Sequence, residues 1–247
     1  MTTKEFSNQF DIFYNSIATN AAPSIDLYEK SVYLTRAQLE IIKNYFEPKG
    51  NKYNTGFEQS SKRRNDLNEL IRTNKSTIQV SSDDGISEDS KFFRIPNNTF
   101  LIIQEKALVS DESNCNNGKY IKIKPVTHDE FNTQEENPFK KPYKNKLWRM
   151  DYYAQTGNNK NVEIISPYEL GEYKMRYIIY PQPIILTDLL TAFPTETLTI
   201  DGISSEQSCK LSTSLHPEIL NRAVELATAD YRKEDIAVKT QINNRNE

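Results

Sequence analysis

The sequence predicts an α+β fold in which helices at both ends of the chain flank a strand-rich middle, and two changes of periodicity carry this reading. Apolar residues recur at spacings of three and four over the first 75 residues. From about Ser76 they alternate with charged ones, and from about Leu215 they return to helical spacing. The expected organisation is an N-terminal helical region over 1–75, a β-rich insertion over 76–200, a C-terminal helix within 201–232 that completes the helical core, and a polar tail over 233–247.

The first helix is expected from Phe6, Phe10, Phe13, Tyr14 and Ile17, which fall on one face; it should end near Thr19 to Ala22, before Pro23 and Ser24. Leu27, Val32, Leu34, Leu39, Ile42, Tyr45 and Phe46 then form a broad apolar stripe closed by Pro48 and Gly50. Thr35 followed by Gln38 has the form of a capping box that would divide this stretch into two helices; one long helix is the alternative. A third helix is expected in FEQSSKRRNDLNELIRTNK, with Phe57, Leu67, Leu70 and Ile71 as its apolar residues and the basic run Lys62, Arg63, Arg64 on a solvated face.

The segments TIQVS, KFFRIP, TFLIIQEKALVS, KYIKIKPVT, LWRMDYYAQ, NVEIIS and YKMRYIIYPQPIIL are rich in Val, Ile, Tyr and Phe and read as strands. Turns are expected at Asn97-Asn98, at Asn116-Asn117-Gly118 and at Thr156 to Asn159, and SSDDGISEDS reads as a mobile acidic loop. After a short strand at LTIDG, the last helix begins with His216 as cap and Pro217 as first helical residue, and Leu215 can staple onto Leu220. Ile219, Leu220, Ala223, Val224, Ala227 and Tyr231 are its expected buried stripe. The tail DIAVKTQINNRNE is polar and is expected to be ordered by a partner.

Composition excludes more chemistry than it suggests. The seven glycines, at positions 50, 56, 85, 118, 157, 171 and 202, are isolated, so no phosphate loop or dinucleotide fingerprint can be built from them. A zinc site would need His128, His216, Cys115 and Cys209 all to converge, and no metal or other cofactor is expected. The nearest string to a nucleophile elbow, GISSE at 202–206, lacks its second glycine; no enzymatic activity and no catalytic residue are expected. Two cysteines far apart in sequence suit free thiols in a reducing compartment. No apolar run is long enough to cross a bilayer, and MTTKEFSNQF has no signal-peptide character, so no membrane partner is expected. A net charge of −3 leaves nucleic-acid binding to a local patch, for which Lys62, Arg63 and Arg64 are the candidates.

One charged segment stands out. In HDEFNTQEENPFKKPYKNKLWR the acids Asp129, Glu130, Glu135 and Glu136 precede the bases Lys140, Lys141, Lys144 and Lys146. A loop with acids at one end and bases at the other can pair head to tail with a copy of itself, the geometry that builds rings. These eight residues are the candidate subunit interface.

The opening FSNQFDIFYNSIATNAAPSIDLYEKSVYLTRAQLEIIKNYF resembles the N-terminal region of neck or ring structural proteins of crAss-like and related short-tailed bacteriophages. THDEF with NPFKKPYKNKLWR, YIIYPQPIIL and LHPEILNRAVELATADY fit the same comparison. The resemblance implies a head-to-tail connector with a helical adaptor-like core and a β-rich insertion. It further implies a homo-oligomeric ring of twelve copies below the portal protein, in contact with other neck ring or tail proteins. Phage DNA would pass through the channel without sequence recognition, past neutral or acidic lumen residues. The implied location is the head-to-tail junction of the virion, after synthesis in the host bacterial cytoplasm.

Overall fold

A computed structural model describes residues 1–17, 24–46, 59–77, 79–80, 85–112, 115–137, 139–142, 146–153 and 160–231. They divide into two compact units: Met1–Leu70 with the residues from Pro181 onward, and Ile71–Tyr180, which is inserted between those two parts in sequence.

In the first unit, α1 (Thr3–Ile17) and α2 (Leu27–Phe46) each begin with a reciprocal capping box. Glu5 N–H donates to Thr2 Oγ1 while Thr2 N–H donates to Glu5 Oε2, and Asp26 and Glu29 make the same pair of bonds. Phe6, Phe10 and Tyr14 are buried as their spacing requires, whereas Phe13 is 41% exposed. α2 runs unbroken through Thr35, because that side chain caps nothing. Ser31, Thr35 and Gln38, one helical turn apart, instead bind the extended segment 182–186. Leu186 N–H donates to Ser31 Oγ at 3.0 Å, Ile184 N–H to Thr35 Oγ1 at 3.0 Å, and Gln38 Nε2 to Gln182 O at 3.1 Å. A helix face thus supplies the partners that a neighbouring strand would have supplied.

The third helix is shorter than expected. α3 (Ser61–Leu67) tightens into a 3-10 turn over Asn68–Leu70, and Ile71 already opens the first strand. The last helix, α6 (His216–Tyr231), buries Ile219, Leu220, Ala223, Val224 and Ala227 as its period predicts. His216 is its first residue rather than a side-chain cap: the Met1 amino group donates to Nδ1 at 2.8 Å, so Nε2 carries the proton and donates to Leu211 O at 3.1 Å. LTIDG forms only an isolated bridge, Ile200 with Ile203. A short helix, α5 (Leu189–Ala192), is capped by Asp188.

The second unit is an eight-stranded sheet in the order β1-β8-β4-β5-β6-β7-β3-β2. Its strands are β1 (Ile71–Ser76), β2 (Gln79–Val80), β3 (Ser90–Ile95), β4 (Thr99–Val109), β5 (Tyr120–Pro125), β6 (Lys146–Tyr153), β7 (Lys160–Ile165) and β8 (Leu170–Ile179), with α4 (His128–Glu135) crossing between the parallel pair β5 and β6. Only positions 77 and 78 separate β1 from β2, yet these strands are the two edges of the sheet. On a flat sheet seven intervals of roughly 4.8 Å would hold them about 34 Å apart, beyond the reach of so short a link. The sheet therefore rolls until its edges meet. Phe93 on β3 and Tyr173 on β8 confirm it: four strands lie between theirs in the sheet order, but the ring centroids are 5.9 Å apart.

The inner face of this roll is the largest apolar core, with Phe93, Ala107, Leu147, Val162, Ile164 and Tyr173 among its fully buried members. A polar cluster is buried with them. Tyr173 Oη donates to Glu105 Oε2 at 2.8 Å, and Arg149 Nε donates to Glu105 Oε1 at 2.9 Å. Burial raises the Glu105 carboxyl above its ordinary range, against the pull of Arg149.

The expected helical adaptor-like core is overturned by this arrangement. The fold is mixed α/β and its central sheet dominates. α1 and α2 lie against α6 and meet each other over only a short stretch, so they do not make a bundle. Ile184, Ile185, Leu186 and Ile200 from the irregular chain before α6, with Leu189 of the short α5, fill the buried positions that bundle helices would occupy. The end of the first expected helix, Pro48, Gly50 and Phe57, the first four residues of SSDDGISEDS, the Thr156–Asn159 turn and the 233–247 tail lie outside the described residues.

Candidate assembly site

The candidate interface falls on the β5–β6 crossover, and its acidic half is a helix rather than a loop. Thr127 caps α4, its Oγ1 accepting from Glu130 N–H at 3.3 Å. Phe131 then turns inward and meets Trp148 edge-on, centroids 5.8 Å apart, within a cluster that includes Val126, Met150 and Ile165. Gln134, buried beside it, accepts from Lys124 Nζ and donates to Glu130 Oε2. With Phe131 and Gln134 inward, Asp129, Glu130, Glu135 and Glu136 stand exposed.

The basic half follows a turn built on Asn137. Its carbonyl accepts from Lys140 N–H at 3.0 Å and Lys141 N–H at 3.2 Å, and its Oδ1 accepts from Phe139 N–H at 3.0 Å. Lys140 and Lys141 are exposed on this turn, and Lys146, also exposed, opens β6; Lys144 lies outside the described residues. The segment therefore keeps its acids and bases apart, the acids on α4 and its C-terminal end and the described bases on the turn and the start of β6. Phe139, which the sequence reading passed over, is 97% exposed between them. An aromatic set in NPFKKP, with no apolar periodicity around it, was the available signal.

The basic run is used differently. Lys62 Nζ pairs with Glu218 at 2.5 Å, and buried Arg63 places its guanidinium 5.1 Å from the Tyr45 ring centroid. Burial, reinforced by Glu218, pushes the Tyr45 phenol up to about 12. Only Arg64 of the three is exposed without such a role, bonded to Ser61 Oγ. This run offers no cluster of free cations.

Among the described residues, no three His, Cys, Asp or Glu side chains gather as metal ligands, and no helix is long and apolar enough to cross a membrane. His128 is exposed on α4 while His216 is buried beneath α1, and Cys115 is exposed. Burial raises the Cys209 thiol to about 11, which keeps it protonated and unreactive at neutral pH.

An arrangement that presents charge and an exposed ring is suited to contact. Comparison with known proteins agrees: residues 1–239 match the family described as phage tail ring protein 3/4. The chain belongs to that family. Ring protein 4/5 of Bacteroides phage crAss001 is 38% identical to it over 250 residues, covering 100% of both chains. Ring protein 3 of the same phage is 36% identical over 228 residues, covering 92% of this chain and 95% of that one. The resemblance read from the sequence is thereby borne out, and the ring-protein family makes this a structural component of a phage tail or neck.

Proposed function

We propose that the chain is a head-to-tail connector subunit that forms a closed homo-oligomeric ring of twelve copies, joins the portal to the components below it, and lets DNA pass through its central channel. It acts at the head-to-tail junction of the virion and performs no catalysis. The observation that carries this reading is the similarity to two ring proteins of one phage over 100% and 92% of the chain, because the sheet as well as the helices is then ring-protein sequence.

The contact between neighbouring copies is assigned to the crossover. Asp129, Glu130, Glu135 and Glu136 of one copy face Lys140, Lys141, Lys144 and Lys146 of the next, a heterologous contact that closes when the rotation divides a full turn. Phe139 is the apolar anchor of that contact, since aromatic residues are enriched at interface centres. Negative-stain images of the purified protein, alone and mixed with portal, test the reading. Rings or portal-capped complexes are expected; dispersed monomers under both conditions would overturn it.

A further inference from the structure

The register of the rolled sheet lines up a row of lysines that no single strand reveals. Lys75 on β1 pairs with Lys174 on β8, Lys174 with Lys106 on β4, Lys106 with Lys122 on β5, and Lys122 with Lys146 on β6. Residues paired across neighbouring strands share a face, so the five amino groups leave the same side of five adjacent strands. At roughly 4.8 Å per strand the row is about 19 Å long. It lies on the outer face, opposite Tyr173 and Glu105. Arg176 follows Lys174 on that face, next to Thr73 and Gln104.

Two details decide what such a face can hold. Glu172 is the single carboxylate that these described strands direct outward, and it is engaged by Lys75 at 2.5 Å and by Tyr120 Oη at 2.7 Å; Lys106 lies 4.4 Å from the Tyr120 ring centroid. Lys122, Lys146, Lys174 and Arg176 form no hydrogen bond or ion pair with any described residue. Beside them Thr73, Gln104, Lys106, Lys174 and Arg176 surround a depression of about 240 Å³. Three cations and two neutral hydrogen-bonding groups converge there.

We infer that this outer sheet face binds the phosphate backbone of nucleic acid without reading its sequence, the depression taking one phosphate and the lysine row its neighbours. A protein partner fits less well. Interface cores are rich in apolar and aromatic residues and poor in lysine, whereas among the described residues of these strands Tyr120 is the one large apolar side chain that is exposed. A chain of regularly spaced anions is the complement of a row of regularly spaced cations. Base recognition would need donors and acceptors fixed in a groove, and flexible lysines on a convex sheet supply none. The property goes beyond the ring reading, since it needs no ring to be observed; Lys146, which the proposed subunit contact would engage in a ring, is counted here for the free subunit. It places free cations on the sheet although the Lys62–Arg64 run offers none, and about five phosphate contacts remain weak at physiological salt, which is compatible with DNA that slides.

The test is fluorescence anisotropy of a 30-base-pair duplex of arbitrary sequence, titrated with the full-length protein at several salt concentrations. Five contacts predict a slope of log affinity against log salt of about −4.5, so affinity falls about 500-fold between 50 and 200 mM. The double variant Lys174→Gln, Arg176→Gln is expected to reduce the slope by about 2, with an unchanged melting temperature, while Lys62→Gln leaves the slope alone. Absence of binding at 50 mM salt, or a slope the double variant does not alter, overturns the inference. So does a double variant that binds DNA normally and fails to self-associate in light scattering, because the face would then be a protein contact.

Discussion

Thr35 Oγ1 accepts the amide proton of Ile184 at 3.0 Å and lies 3.3 Å from the carbonyl oxygen of the same residue, so one hydroxyl serves both backbone groups of Ile184. Ile184 is itself fully buried, and neither group has access to water. Thr35→Val preserves shape and removes both bonds. It is expected to cost about 1–3 kcal/mol, the range for leaving a buried polar group unsatisfied. Urea unfolding should show a lower midpoint with an unchanged slope; a midpoint equal to wild type would mean the helix face is not what holds segment 182–186.

Inside the rolled sheet, Tyr173→Phe removes the hydroxyl from Glu105 while keeping the ring against Phe93. A hydrogen bond to a buried carboxyl is lost, and a destabilisation of about 1–3 kcal/mol is expected. Phe93→Ala opens a cavity in the same place and should cost about 3–5 kcal/mol. Both are read from chemical denaturation.

His216 is expected to make stability depend on pH. Burial, followed by the nearby Met1 amino group, holds its imidazole below the ordinary value of 6.5. The unfolded chain then binds more protons than the folded one just below that pH, so stability rises with pH and is lost as pH falls. Unfolding free energy should decline from pH 7 towards 5, and His216→Gln, which can still donate to Leu211 O, should flatten that part of the curve. Parallel curves for the two proteins would remove His216 as the cause.

On the crossover, Phe139→Ala and the pair Lys140→Glu, Lys141→Glu change only exposed side chains. Stability should stay within about 0.5 kcal/mol of wild type, while light scattering shows loss of the oligomer. Oligomers of unchanged mass would remove the crossover from the subunit contact.

Phe131→Ala addresses the same segment from below. With its ring 2% exposed against Trp148, truncation should cost about 3–5 kcal/mol or release α4 from the sheet. Hydrogen exchange of the Phe131 amide, which bonds back to Thr127 O, distinguishes these: selective loss of protection over 128–135 reports release of the helix alone.

Local signals were legible where one segment contains all its own determinants. The apolar period of α6, the strands KYIKIKP and NVEII, and the family likeness in the quoted strings needed no distant partner to be read. Thr127 with Glu130 was equally local, a cap-and-carboxylate spacing that marks α4 and was overlooked in favour of charge.

What the sequence alone determined is therefore the ring-protein family, the positions of most strands, and the separation of acids from bases along 129–146. The tertiary structure alone decided which strands become neighbours, and everything that follows from it: the rolled sheet in place of a helical adaptor core, Thr35 as a backbone partner rather than a cap, and the lysine row. The reason is physical. Alternation within a strand determines which residues share a face of that strand, but the register between strands is set by the packing of Phe93, Tyr173 and their neighbours in the interior. Lys75 and Lys146 are 71 positions apart in the chain, and only that packing places them on one face.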